Sequence, residues 1–140
     1  METMFAMSYS FGTKLFECLD KSPYPNDLSS DILNYWKEGY RLQHMSTGCL
    51  FVCALVTLEL VDDAGQLRVA NAEGYLTASG ADDSAISTLI DLYTTCHNGV
   101  NTVGHACEQA LRIVDCFRRG IWELSWIPDI TPLLYSRRKC

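Results

Sequence analysis

The sequence predicts a single α+β domain over residues 1–128: an antiparallel sheet of about four strands packed against two or three helices. Three observations carry that reading. Short segments near both ends alternate apolar and polar side chains, a longer central run is apolar along one face without a break, and two later segments carry apolar residues at helical spacing. The predicted order is β-α-β-β-α-α-β.

In chain order, Phe5, Met7, Tyr9 and Phe11 alternate with Ala6, Ser8 and Ser10, the period of a half-buried strand over 4–11. Residues 13–21 suit a short helix, and 22–31, "SPYPNDLSSD", carry the turn chemistry of a loop. A helix is predicted over 30–43, capped by Ser29, Ser30 or Asp31, with Ile32, Leu33, Trp36 and Tyr40 at helical spacing. Gly39 opposes it by about 1 kcal/mol relative to alanine.

The run at 48–61 reads as a central strand. Leu50, Val52, Ala54, Val56, Leu58 and Leu60 share one face, and the other face is also apolar as far as Leu55. Asp62 to Gly65 form a hairpin loop with Gly65 free to take positive φ. Residues 66–78 are the partner strand, with a bulge at Gly74. Asp82 or Asp83 caps a helix whose inner stripe is Ile86, Leu89, Ile90 and Tyr93. Asn98-Gly99 stops it, and Asn101 or Thr102 caps a second helix over 102–119, with Cys107, Ala110, Leu111, Val114 and Phe117 inward. Trp122, Leu124 and Trp126 then alternate in a last strand that Pro128 ends, and 129–140 form a loosely held basic tail.

A chain of 140 residues can bury a core of its own. Its first residues lack a basic n-region, so no secretory signal is expected. The longest apolar run, 49–61, contains Thr57 and Glu59 and is too short and polar to span a bilayer. The seven cysteines are odd in number and irregular in spacing, which reads as free thiols in a reducing compartment, cytosol or nucleus. Net charge is −6, with the middle of the chain strongly acidic and the last third basic. Only Arg118, Arg119, Arg137, Arg138 and Lys139 could attract phosphate, so nucleic-acid binding is disfavoured.

The chemically richest stretch is 94–107, "TTCHNGVNTVGHAC". Zinc held by Cys96, His97, His105 and Cys107 fits poorly, because neighbours on a helix diverge by about 100°. A Cys107 nucleophile with His105 as its base lacks a third group to orient the histidine. The bend between two helices accounts for every residue of the stretch. Phosphate-loop, dinucleotide-binding, zinc-protease and nucleophile-elbow patterns are absent, and no cofactor is expected.

The remaining signals are aromatic and terminal. Trp36, Tyr40, Trp122 and Trp126 suit an interface, since tryptophan and tyrosine concentrate at binding hot spots. Asp129, Leu133 and Leu134 match an acidic-dileucine spacing, and Cys140 follows three basic residues. The sequence alone therefore predicts a non-enzymatic, self-associating interaction or regulatory protein with a protein partner. A small enzyme or ligand-binding domain using Cys107 and His105 is the alternative.

Overall fold

The structure, a computed structural model, describes residues 2–21, 28–42, 44–100 and 105–128. It contains six helices: α1 Glu2–Lys21, α2 Leu28–Leu33, α3 Met45–Thr57, α4 Val69–Ala78, α5 Asp83–Val100 and α6 Ala106–Glu123. There is no strand among the described residues, only an isolated antiparallel bridge between Val61 and Leu67. The α+β expectation is corrected to an all-helical fold.

The segments predicted as strands each have a physical reason to be helical. In 4–11 the alternation competes with a second pattern: Met4, Met7, Phe11, Leu15 and Cys18 recur every three or four residues. The chain follows the second pattern, burying Met4, Leu15 and Cys18 and leaving Tyr9 60% exposed. The run at 48–61 is apolar on every side, and periodicity cannot separate a buried helix from a buried strand there. α3 buries Thr47, Leu50, Phe51 and Ala54 at helical spacing while Val56 faces out. In α4 the inward pair is Ala72 and Leu76, one turn apart. Residues 120–128 hold the last turn of α6 and a short wrap, not a strand.

Three helices end in the same way. Leu60 N–H donates to Leu55 O, Ala81 N–H to Leu76 O, and Trp126 N–H to Ile121 O. Each bond spans five residues and follows a left-handed residue, Glu59, Gly80 or Ser125. Two of these stops use a non-glycine residue, which is why glycine and proline did not mark them. Asn98 and Gly99, expected to end a helix, lie inside α5. Asn101 and Thr102 lie outside the described residues.

Six cysteines form three disulfides: Cys18–Cys53, Cys49–Cys107 and Cys96–Cys116. They lace α1 to α3, α3 to α6, and α5 to α6. Their sequence separations are 35, 58 and 20 residues. Closing loops of that length constrains the unfolded chain by roughly 3–4 kcal/mol each. Such cross-links form in oxidising compartments. The expectation of reduced thiols in cytosol or nucleus is therefore corrected: the odd count came from adding Cys140 to three complete pairs.

Gly48 lets α3 and α6 meet closely; a Cβ there would lie 1.9 Å from the carbonyl oxygen of Cys107. α2 and α4 carry no disulfide. The carboxylate of Asp31, fully buried, anchors the α2 side by accepting from Tyr40 Oη at 2.6 Å, Thr47 Oγ1 at 2.7 Å and His44 N at 3.1 Å. His44 is the N-cap of α3 and its own side chain makes no capping bond, so Asp31 supplies negative charge to that helix start through its bonds to His44 N and Thr47 Oγ1. No helix among the described residues is long and apolar enough to cross a membrane.

Candidate functional site

All six helices and the turn after α3 surround one apolar cavity of about 530 Å³. α1 contributes Met7, Ser8, Phe11, Leu15 and Phe16; α2 and the turns after it contribute Ile32, Leu33, Tyr35 and Trp36. Phe51 and Leu55 come from α3, Tyr75 and Leu76 from α4, Leu89, Ile90 and Tyr93 from α5, and Val114 and Phe117 from α6. Residues of two packed clusters line the cavity, Leu15, Phe51 and Val114 from one and Trp36, Leu76 and Leu89 from the other, and Tyr35 packs against both. Aromatic rings brace the wall: Phe11 and Tyr35 lie 5.6 and 5.4 Å from Phe51, and Tyr35 meets Trp36 edge-on at 4.7 Å.

The few polar groups in the wall are mostly engaged with the protein. Trp36 Nε1 donates to Ser8 Oγ at 2.9 Å. Tyr35 Oη donates to Val114 O. The Tyr75 hydroxyl meets Ser10 Oγ and lies 3.3 Å from Met7 O. Burial pushes the Tyr35 and Tyr75 phenols up and holds Tyr93 near 12, so all three stay neutral at physiological pH. Tyr9, Thr13, Glu17 and Asp20 carry the cavity to the surface along α1.

Arg118 acts on this wall from behind. Its guanidinium is buried, bonds Asp115 at 2.7 Å and Tyr35 O at 3.4 Å, and lies 6.0 Å from the Tyr35 ring centre. Its Nε is buried without a hydrogen-bond partner among the described residues. A residue considered for phosphate contact is thus held inside the fold, fixing the Tyr35–Trp36 segment. Arg119 is exposed and pairs with Asp115 at 3.4 Å.

The other sequence candidates do not converge. Trp36 is buried in the cavity wall, and Tyr40 is bonded to Asp31. Trp122 and Trp126 are half-buried at the far end of α6, Trp126 against the Leu89 cluster. Cys96 and Cys107 are half-cystines of different bridges and hold no free thiol. His105 caps α6, its Nδ1 accepting from Cys107 N at 3.2 Å, and His97 stacks on Tyr93. No group of three or more metal-binding side chains assembles among the described residues. Asp129, Leu133, Leu134, Arg137, Arg138 and Lys139 lie outside them.

Phe11, Phe51, Tyr75 and Phe117 line the chamber and were not among the expected site residues, because in the sequence each looks like ordinary core. The available signal was the cysteines. Cys49 and Cys53 lie four residues apart in an otherwise apolar run, and in α3 they stand one helical turn apart, each bonded to a distant cysteine.

Fold and cavity together define a helical shell, laced by disulfides, around an apolar chamber. The chain belongs to the PBP/GOBP family, whose sequence profile matches residues 2–120. It is 31% identical over 123 residues to pheromone-binding protein 2 of Epiphyas postvittana, spanning 88% of this chain and 74% of that one. General odorant-binding protein 2 of Manduca sexta is 19% identical over 129 residues, covering 92% and 80%. The crystal structure of Epiphyas postvittana pheromone-binding protein 3 superposes with a TM-score of 0.72 at 34% identity, covering 81% of this chain and 97% of that one. The regulatory-module expectation is corrected accordingly: membership of this family and the three disulfides replace it.

Proposed function

We propose that the chain binds a small hydrophobic molecule in the helical cavity, one per chain, and carries it through an extracellular fluid. The observation that carries this reading is the chamber itself. Its volume of about 530 Å³ falls in the range of small-molecule sites, and aromatic and aliphatic side chains dominate its wall. Transfer of a hydrocarbon chain from water into such a wall is favourable by about 25 cal/mol per Å² buried. At roughly 0.5 kcal/mol per heavy atom, a ligand of about fifteen atoms reaches low-micromolar dissociation constants. The relatives named for pheromone and odorant binding support the same class of ligand, and the disulfides support the extracellular setting.

Titration of the purified, disulfide-intact chain with a neutral naphthylamine fluorophore tests this. Saturable one-to-one binding is expected. Leu89→Trp, which fills the chamber from α5, should abolish it while the far-ultraviolet circular dichroism stays helical. Absence of saturable binding, or equal binding by a folded Leu89→Trp variant, refutes the proposal. A protein partner or self-association is a separate proposal, supported only by exposed apolar side chains such as Tyr9, Met45, Val56 and Val69; sedimentation at micromolar concentration tests it.

A further inference from the structure

Resting on the carrier reading, we infer that Arg118 is a positioning residue for ligand binding: it holds the Tyr35 ring as a preformed part of the chamber wall, and its role lies in binding more than in stability. Tyr35 lines the chamber and packs against Trp36 and Phe51; Arg118 is not among the described residues that line it. Tyr35 is fastened to α6 at both ends. Its hydroxyl donates to Val114 O, and its backbone oxygen accepts from Arg118 Nη1 at 3.4 Å. Val114 and Arg118 stand one turn apart on α6, so the tyrosine lies along that helix. Its neighbour Trp36 is fastened the other way, donating to Ser8 Oγ on α1 at 2.9 Å. The two adjacent rings thus join α6 to α1 along the chamber wall, and Arg118 secures the α6 side.

For stability alone, a buried arginine is a poor choice here. Taking a guanidinium out of water costs more than its ion pair returns unless its remaining donors are satisfied. Arg118 is only 7% exposed, and its donors are not all satisfied. Asp115 accepts from Nη2 at 2.7 Å, but that carboxylate is 34% exposed and also pairs with Arg119. The bond to Tyr35 O is long, and the guanidinium carbon lies 6.0 Å from the ring centre, the outer edge of cation–π attraction. Nε is buried with no hydrogen-bond partner among the described residues. The guanidinium is turned to serve Tyr35 and Asp115 and leaves one of its own donors unmade. An apolar side chain of similar length would fill this place with little or no loss of stability. It would not hold Tyr35 from behind.

That hold lowers the cost of binding. A ring already fixed in the wall needs no ordering when the ligand enters, whereas a ring free to turn weakens binding by roughly three- to tenfold. Losing Arg118 should therefore be felt in affinity and not in folding.

Arg118→Met removes the charge and every donor and keeps an unbranched apolar stem. Titration with the naphthylamine fluorophore and thermal unfolding, disulfides intact, are read on the same preparation. Tm should stay within about 4 °C of the wild type or rise, and the fluorophore should bind about three- to tenfold more weakly. Arg118→Lys, which keeps a cation and donors behind Tyr35, should bind more tightly than Arg118→Met. Tyr35→Leu removes the ring, and in that background Arg118→Met should change affinity by less than about twofold. Equal binding by wild type and Arg118→Met overturns the inference, as does a loss that persists undiminished in the Tyr35→Leu background. Where Tyr35→Leu binds too weakly to measure, the lysine variant decides, and binding no tighter than that of Arg118→Met overturns it. An Arg118→Met chain that fails to fold, or whose Tm falls by more than about 4 °C, makes Arg118 a structural residue and overturns it too. If the wild type binds the fluorophore and Arg118→Met binds it equally, carriage stands and this inference alone fails; if the wild type binds no fluorophore, both fall.

Discussion

Gly48→Ala is a sharp test of the packing that shapes the chamber, because two effects of opposite sign compete at one atom. Gly48 lies inside α3, so alanine should gain about 1 kcal/mol of helix propensity. The added Cβ, however, would sit 1.9 Å from Cys107 O, 2.9 Å from Cys107 C and 3.1 Å from Leu111 Cβ. The first two are backbone atoms at the start of α6, beside the Cys49–Cys107 bridge, and cannot rotate away. α3 and α6 must separate by more than an ångström, and overpacking of this kind costs about 3 kcal/mol. The net loss is about 2 kcal/mol, which lowers Tm by roughly 6–8 °C for a chain of this size. Thermal unfolding followed by circular dichroism, with disulfides intact, reads it directly. Gly74→Ala is the matched control: its Cβ would meet nothing within 4 Å on exposed α4, so it should stabilise by up to about 1 kcal/mol. If Gly48→Ala raises Tm as Gly74→Ala does, the close α3–α6 approach is wrong.

Replacing Cys96 and Cys116 together by alanine should lower stability by about 3 kcal/mol, the loop-closure value for a 20-residue separation; a loss under about 1 kcal/mol in urea denaturation would contradict it. Asp31→Asn should destabilise by about 2–3 kcal/mol, since an amide cannot accept all three donors that face the carboxylate; an unchanged urea midpoint would refute that anchor. Tyr93 ionises near 10 when unfolded and near 12 when folded, so its contribution is constant below pH 10 and is lost as pH rises from 10 to 12. At pH 11 that loss is about 1 kcal/mol, and Tyr93→Phe should show a correspondingly shallower decline between pH 9 and 11; identical declines would contradict the burial.

The later helices were the legible part of this chain. α5 carries Ile86, Leu89, Ile90 and Tyr93 at helical spacing behind Asp82, and Asp82 Oδ1 does accept from Ala85 N at 2.8 Å. The turn at 62–65 was also visible, with Gly65 at φ +79° and Asp62 accepting from Ala64 N and Gln66 N. It joins two helices instead of two strands, because a turn does not record what flanks it. The early helices were illegible because windows of about eight residues cannot separate the two periods when both faces are apolar. The chamber was illegible for a related reason: lining a cavity and filling a core call for the same side chains, and only three-dimensional placement tells Phe51 or Leu89 apart from packed neighbours. The bridges were hidden by one extra cysteine at the chain end.

The proposed site for a small apolar molecule is the chamber between the six helices. Intermolecular nuclear Overhauser effects between a hydrogen-bearing ligand such as dodecyl methyl ketone and selectively labelled methyl groups test it most directly. Contacts are expected to Leu55, Leu89, Ile90 and Val114, which line the chamber from α3, α5 and α6. Contacts confined to the exposed methyl groups of Met45, Val56 and Val69 would place the ligand on the surface and contradict it.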